Sequence, residues 1–277
     1  MIVTAGFLRR AARGVARVAL LMAPAACADS PVEWTTTVPA ATRIAGPVAV
    51  TAEGTIVPDS LAALSARVVP PVPSICPGSL RLGRAGAVLH AVWWTPRADS
   101  SVHLLAASSR DDGRSWSAAI PVDTLDRGVT GCRRVAPSIA ADSTSGYVHV
   151  AYGLEAPEGP GLFFSHSMDR GGMFHAPVPI FYGERLGRTS VAADGDLVAV
   201  GFEDPNSRTP RIGLALSRTM GHIFEHRLLP VSSDNGAATK PATAVRGNRV
   251  AIAWEQRAAA ITPTTVPMLA VRAGVVH

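Results

Sequence analysis

A repeat of about fifty residues constrains this chain more than any other feature. Four short strands, each alternating in polarity and each closed by an aromatic, run Leu89–Trp93, Val148–Tyr152, Val198–Phe202 and Val250–Trp254. A glycine precedes each of them: Gly86, Gly146, Gly195 and Gly247. A further strand follows in every copy, over His103–Ser108, Leu162–His166, Ile212–Leu216 and Met268–Arg272. The first three of these lead into turns of one pattern, Ser-x-Asp-x-Gly-x-x-aromatic. Residues 109–116 carry Ser109, Asp111, Gly113 and Trp116, and residues 167–174 carry Ser167, Asp169, Gly171 and Phe174. The degenerate copy at 217–224 keeps Ser217, Gly221 and Phe224, with Thr219 in the acid's place.

Each part of the turn has a physical reason. Short Ser and Asp side chains accept hydrogen bonds from nearby backbone N–H groups. Glycine takes up a positive φ that other residues resist. The aromatic anchors the turn on the sheet. A period of this length with turn signals between short strands is that of a four-stranded blade. The expected fold is therefore all-β, a β-propeller of four-stranded antiparallel blades. Five blades are expected, with four and six as alternatives.

The last repeat ends without an outer strand. After the turns, the outer strands read Trp116-x-x-x-Ile120-Pro121 and Phe174-x-x-x-Val178-Pro179. The same spacing recurs at Trp34-x-x-x-Val38-Pro39. That N-terminal segment is expected to complete the last blade and so cover an open sheet edge. Between it and the first repeat, Pro47–Thr51 and Ala66–Val69 read as strands of a degenerate blade.

The turn pattern resembles the Asp-box, or BNR repeat, of sialidase-like propellers of the neuraminidase superfamily, over roughly residues 77–277. The resemblance implies that the turns are scaffold, because the active site of such proteins lies on the opposite face. That face here collects Arg134, Arg188 and Lys240, each ahead of an inner strand, with Trp94, Glu203 and Glu255 from the ends of second strands. Arginine suits a carboxylate through its planar fork of donors, so these residues are the expected ligand-binding set.

Sialidases of the resembled family also use an arginine triad, a tyrosine activated by glutamate and an aspartic acid as acid/base. Their Phe/Tyr-Arg-Ile-Pro motif is missing; Arg134-Val135-Ala136-Pro137 and Arg43-Ile44-Ala45-Gly46-Pro47 are distant echoes. Tyr182 and Glu184 fall on the right face and are weak catalytic candidates. The resulting expectation is a non-catalytic module that binds a glycan or an envelope protein. The alternative is an exo-sialidase or related glycoside hydrolase with a divergent site.

The opening of the chain reads as a bacterial export signal over residues 1–26: Arg9, Arg10, Arg13 and Arg17, then a short apolar run into small residues. Cys27 is a possible lipidation point, which would make this a lipoprotein signal; simple cleavage is the other reading. Residues 27–277 form the single expected domain, placed in the periplasm, outside the cell or on a lipid anchor. The formal charge of +5 shrinks to about +1 once those four arginines are set aside, so nucleic acid is not an expected partner. A monomer is expected, with no membrane contact beyond the possible lipid anchor. In an exported chain Cys76 and Cys132 are expected to form a disulfide between two loops of the functional face. No cofactor or metal is expected, and His90 and His149, at one strand position in adjacent blades, are read as buried between sheets.

Overall fold

The computed structural model describes residues 30–39, 48–50, 56–58, 74–225, 228–233, 236–258 and 267–277. The expected signal and Cys27 lie outside the described residues. The chain divides between Pro31 and Val32, and every strand belongs to the unit Val32–His277. Four short strands open it: β1 (Val32–Trp34), β2 (Val38–Pro39), β3 (Val48–Val50) and β4 (Ile56–Pro58).

Blade one is β5 (Arg81–Ala85), β6 (Val88–Pro96), β7 (Val102–Ser109) and β8 (Ile120–Asp123). Blade two is β9 (Ser138–Ala141), β10 (Val148–Ala156), β11 (Gly159–Ser167) and β12 (Val178–Tyr182). Blade three is β13 (Thr189–Asp194), β14 (Leu197–Glu203), β15 (Ile212–Ser217) and β16 (Leu229–Pro230). Blade four has β17 (Ala238–Arg246), β18 (Arg249–Gln256) and β19 (Met268–Val276). Each sheet is antiparallel in simple meander order. Among the described residues there is no helix.

The outer edge of blade four is supplied from the other end of the unit. β1 pairs with β19 through Val32↔Val276 and Trp34↔Gly274, and β2 pairs with it through Val38↔Val271. Arg272 lies over the Trp34 ring at 5.0 Å, a cation–π contact across that junction. Of the region expected to hold a fifth blade, only β3 and β4 are described, and they pair antiparallel. The other strand expected there, Ala66–Val69, lies outside the described residues.

Most of the core lies in the seams between successive blades, and a separate cluster of Trp93, Ala91 and Ala107 packs on the other face of blade one. Trp94, Val92 and Leu104 of blade one meet Tyr152, Leu154 and Phe163 of blade two. Phe164 and Leu162 meet Phe202 and Val200, and Leu214 and Leu216 meet Trp254 and Ile252. Three of the repeated aromatics, Tyr152, Phe202 and Trp254, thus pack on the preceding blade. The period-2 alternation of the second strands puts one apolar set on each face, which is why these strands are buried on both sides.

Candidate functional site

The turns are local and self-sufficient. In the first, the Ser109 hydroxyl accepts the Gly113 N–H at 2.8 Å, and Asp111 accepts the Ser115 N–H at 2.8 Å and the Ser115 hydroxyl. Ser167 and Asp169 repeat this, with the Gly171 N–H at 2.8 Å and the Met173 N–H at 2.9 Å. In the degenerate copy Ser217 accepts the Gly221 N–H at 3.0 Å, and the Thr219 hydroxyl takes the Ile223 N–H at 2.9 Å. The hydrogen bonds from Ser115 and Ser109 lower the Asp111 carboxyl to about 2. Two successive residues take left-handed φ in every turn: Asp112, Arg170 and Met220 precede the glycines with φ of 56°, 60° and 55°. The sequence pattern signals the glycine but not its neighbour.

The histidines at the shared strand position sit behind these turns. His90 packs against Gly171 of the next blade, and His149 against Gly221. Both are buried as expected, but His149 has neither ring nitrogen hydrogen-bonded. Burial lowers both to about 4; a nearby Arg110 adds to the effect on His90, and His166 to that on His149. His166, also lowered to about 4 by burial, stacks on His175 and meets His222 edge-on at 4.5 Å. Among the described residues no group of three His, Cys, Asp or Glu could hold a metal ion.

At the opposite end the inner strands converge on a pocket of about 310 Å³. Arg81, Arg188 and Lys240 line it, from blades one, three and four, with Ser138, Thr189 and Ser190 between them. The Arg81 guanidinium is steadied by the Gly78 and Leu80 carbonyls at 2.9 and 2.7 Å. Arg188 is exposed and makes no side-chain ion pair or hydrogen bond among the described residues. The Lys240 ammonium meets Glu255 at 2.7 Å. Glu203 spans the segment ahead of β13 and the start of β17: one carboxylate oxygen accepts the Arg188 N–H at 3.0 Å and the other the Lys240 N–H at 2.8 Å.

Several expected site residues stand elsewhere. Arg134 is almost fully buried, with Nη2 2.8 Å from the buried Asp126 and 3.4 Å from Glu155. Its guanidinium fills space that a side chain at Gly128 would occupy. It is an internal counter-charge, and Arg81 takes the third place at the pocket. Trp94 is fully buried inside β6, edge-on to Tyr152, with its indole N–H on the Val135 carbonyl at 2.9 Å. It is core because β6 continues past it to Pro96. Tyr182 is exposed against Phe163, no hydrogen bond joins it to Glu184, and neither lines the pocket.

A tyrosine–acid pair does exist, but in the core. The Tyr152 hydroxyl donates to Asp123 at 2.7 Å. Complete burial and the adjacent carboxylate raise the phenol well above its usual range, the reverse of what an activated nucleophile needs. Cys76 and Cys132 form the expected disulfide, with Cα atoms 4.9 Å apart, tying the loop before β5 to the loop before β9. Sequence reasoning misses Arg81 because it looks for cations ahead of the inner strands, whereas Arg81 opens one.

No protein-family model matches the sequence, and no curated protein matches it. Among solved structures, a protein of unknown function from Dyadobacter fermentans superposes with a TM-score of 0.51 at 16% identity, over 69% of this chain and 50% of that one. A Hadza microbial sialidase, Hz136, gives 0.46 at 17% identity, over 64% and 42%. A Trypanosoma rangeli sialidase gives 0.48 at 13% identity, over 79% and 39%. The first of these likenesses is one of fold alone, and this chain spans half or less of each neighbour's length.

Proposed function

We propose that this chain is a non-catalytic binding module that takes a carboxylate-bearing glycan at the pocket where its inner strands converge. The observation that carries the reading is the placement of Arg81, Arg188 and Lys240, from three separate blades, around one cleft of about 310 Å³. Arg188 offers a free planar fork of donors, the shape that pairs with a carboxylate. Ser138 and Ser190 add hydroxyls at the wall. Binding is favoured over hydrolysis because the tyrosine–acid pair lies in the core and, among the described residues, no carboxyl is hydrogen-bonded to the Tyr182 hydroxyl. An exported location fits the same reading: the Cys76–Cys132 bridge supports an oxidising compartment, and the basic, then apolar, opening of the chain supports passage there.

Calorimetric titration with N-acetylneuraminic acid and glucuronic acid, beside neutral galactose, tests this directly. The acids are expected to bind and galactose is not, with affinity falling as salt rises. Arg188→Ala should weaken the acids about tenfold or more, the loss of a charge-assisted pair. Equal binding of galactose, or none of the acids, would sink the reading. Turnover of a fluorogenic sialoside that Tyr182→Phe abolishes would replace it with a hydrolase.

A further inference from the structure

We infer that Glu203 is a positioning residue of this pocket, one that sets the spacing of Arg188 and Lys240 and does not itself hold the ligand; the inference rests on the anion-binding reading above. Both Glu203 carboxylate oxygens are committed to backbone, one to the Arg188 N–H at 3.0 Å and one to the Lys240 N–H at 2.8 Å. The Arg188 amide lies just ahead of β13 and the Lys240 amide within β17, so a single side chain fixes the separation of cation-bearing segments from two blades.

Two independent features show that the backbone is built around this contact. Lys240 sits at φ 57°, a conformation that lysine avoids, within a break in the β17–β18 register between Thr239 and Ala242. In that conformation its N–H meets Glu203. On the other loop, a Cβ at residue 187 would collide with the Glu203 Cβ, so Gly187 lets the two segments approach. The same seam is stitched further along, where Ser190 accepts the Thr243 N–H at 2.8 Å and Asp194 the Gly247 N–H at 2.6 Å. Those bonds hold β17 against β13 whether or not Glu203 is present, so its removal should disturb the loops without parting the blades.

The neighbouring acid provides the contrast. Glu255 bonds the Lys240 ammonium itself, at 2.7 Å, and so competes with any anion for that charge. The two glutamates should therefore respond in opposite directions to the same chemical change. Glu203→Gln removes a negative charge from a cationic pocket, which by charge alone tightens an anionic probe. It also leaves an amide N–H₂ facing a backbone N–H, which misplaces one loop.

The test is titration of N-acetylneuraminic acid into the wild-type chain and the Glu203→Gln, Glu203→Asp and Glu255→Gln variants, with hydrogen exchange of the Arg188 and Lys240 amides read without ligand. The expected result is about tenfold weaker binding for both Glu203 variants and tighter binding for Glu255→Gln. Exchange at those amides should be at least tenfold faster in the Glu203 variants alone. Equal or tighter binding by Glu203→Gln, or unchanged exchange, overturns the inference. If the wild type binds no acid, the binding reading fails, and the exchange measurement by itself decides whether Glu203 holds the loops.

Discussion

At the turn end of the blades, Ser109, Ser167 and Ser217 each satisfy a glycine N–H four residues away. At the other end, the channel end, where the inner strands converge on the pocket, Arg188 and Lys240 are held by a glutamate from β14, 15 and 37 residues distant in sequence. The turn end repeats, because each of the first three blades solves its own corner with its own side chains. The channel end does not repeat, because every blade contributes something different to a shared space. Blade one gives Arg81, blade two gives the Ser138 hydroxyl, blade three gives Arg188, with Glu203 on its N–H, and the hydroxyls of Thr189 and Ser190, and blade four gives Lys240. Local chemistry tolerates degeneracy, as Thr219 for Asp shows. Shared chemistry depends on partners that have no copies.

That difference predicts where single changes hurt most. Arg134→Met, below the channel end, strips the counter-charge from Asp126, whose side chain is 0% exposed and whose oxygens also take the Val102 and Gly128 N–H groups. An uncompensated buried carboxylate costs about 3–5 kcal/mol. Urea unfolding should show a loss of that size. A loss below about 1 kcal/mol would mean that the channel end is as forgiving as the turns.

The turn end has a weakness of its own, in acid. His149 is held near 4 by burial, with His166 and His222 lowering it further and Asp142 working against them. The unfolded chain binds this proton near 6.5 and the folded chain only near 4. Stability is therefore full above about pH 6.5 and falls steadily down to about pH 4, by roughly 3 kcal/mol for a shift of that size. His90 and His166 add to the same window. Thermal melts from about pH 7.5 to 4 should show the fall, and His149→Leu should flatten it. An unchanged slope in that variant would remove His149 from the account.

Legibility in the sequence follows the same division. The turns and strands can be read because their rules act within about eight residues. Trp34 is legible as part of the outer edge of blade four because it repeats the spacing of Trp116 and Phe174. The cations are half legible. Lys240 and Arg188 line the pocket, whereas Arg134, at an equivalent-looking position ahead of an inner strand, turns inward to Asp126. Nothing in the chain beside Arg134 says so; the deciding residues are Gly128, which makes room, and Asp126, which needs a charge. Trp94 misleads for a related reason. Two adjacent tryptophans on a strand must face opposite ways, and here both faces of β6 are core.

The smallest predicted effect asks whether the degenerate turn is merely adequate. Thr219 offers one hydroxyl, which takes the Ile223 N–H at 2.9 Å. Asp169, at the same place in the second turn, takes the Gly172 and Met173 N–H groups with one oxygen and the Ser167 hydroxyl as well. A carboxylate accepts more and stronger hydrogen bonds than a hydroxyl. Thr219→Asp should therefore stabilise the chain by about 0.5–1 kcal/mol, read as a shift of the urea midpoint at about pH 7. Asp169→Thr should lose a similar amount. The gain should fade below about pH 4, as the new carboxyl takes up its proton. Neither change should alter acid-sugar binding, since both sit at the end of the blades away from the pocket. A binding change in either variant would show that the two ends are coupled, and the contrast between them would fail.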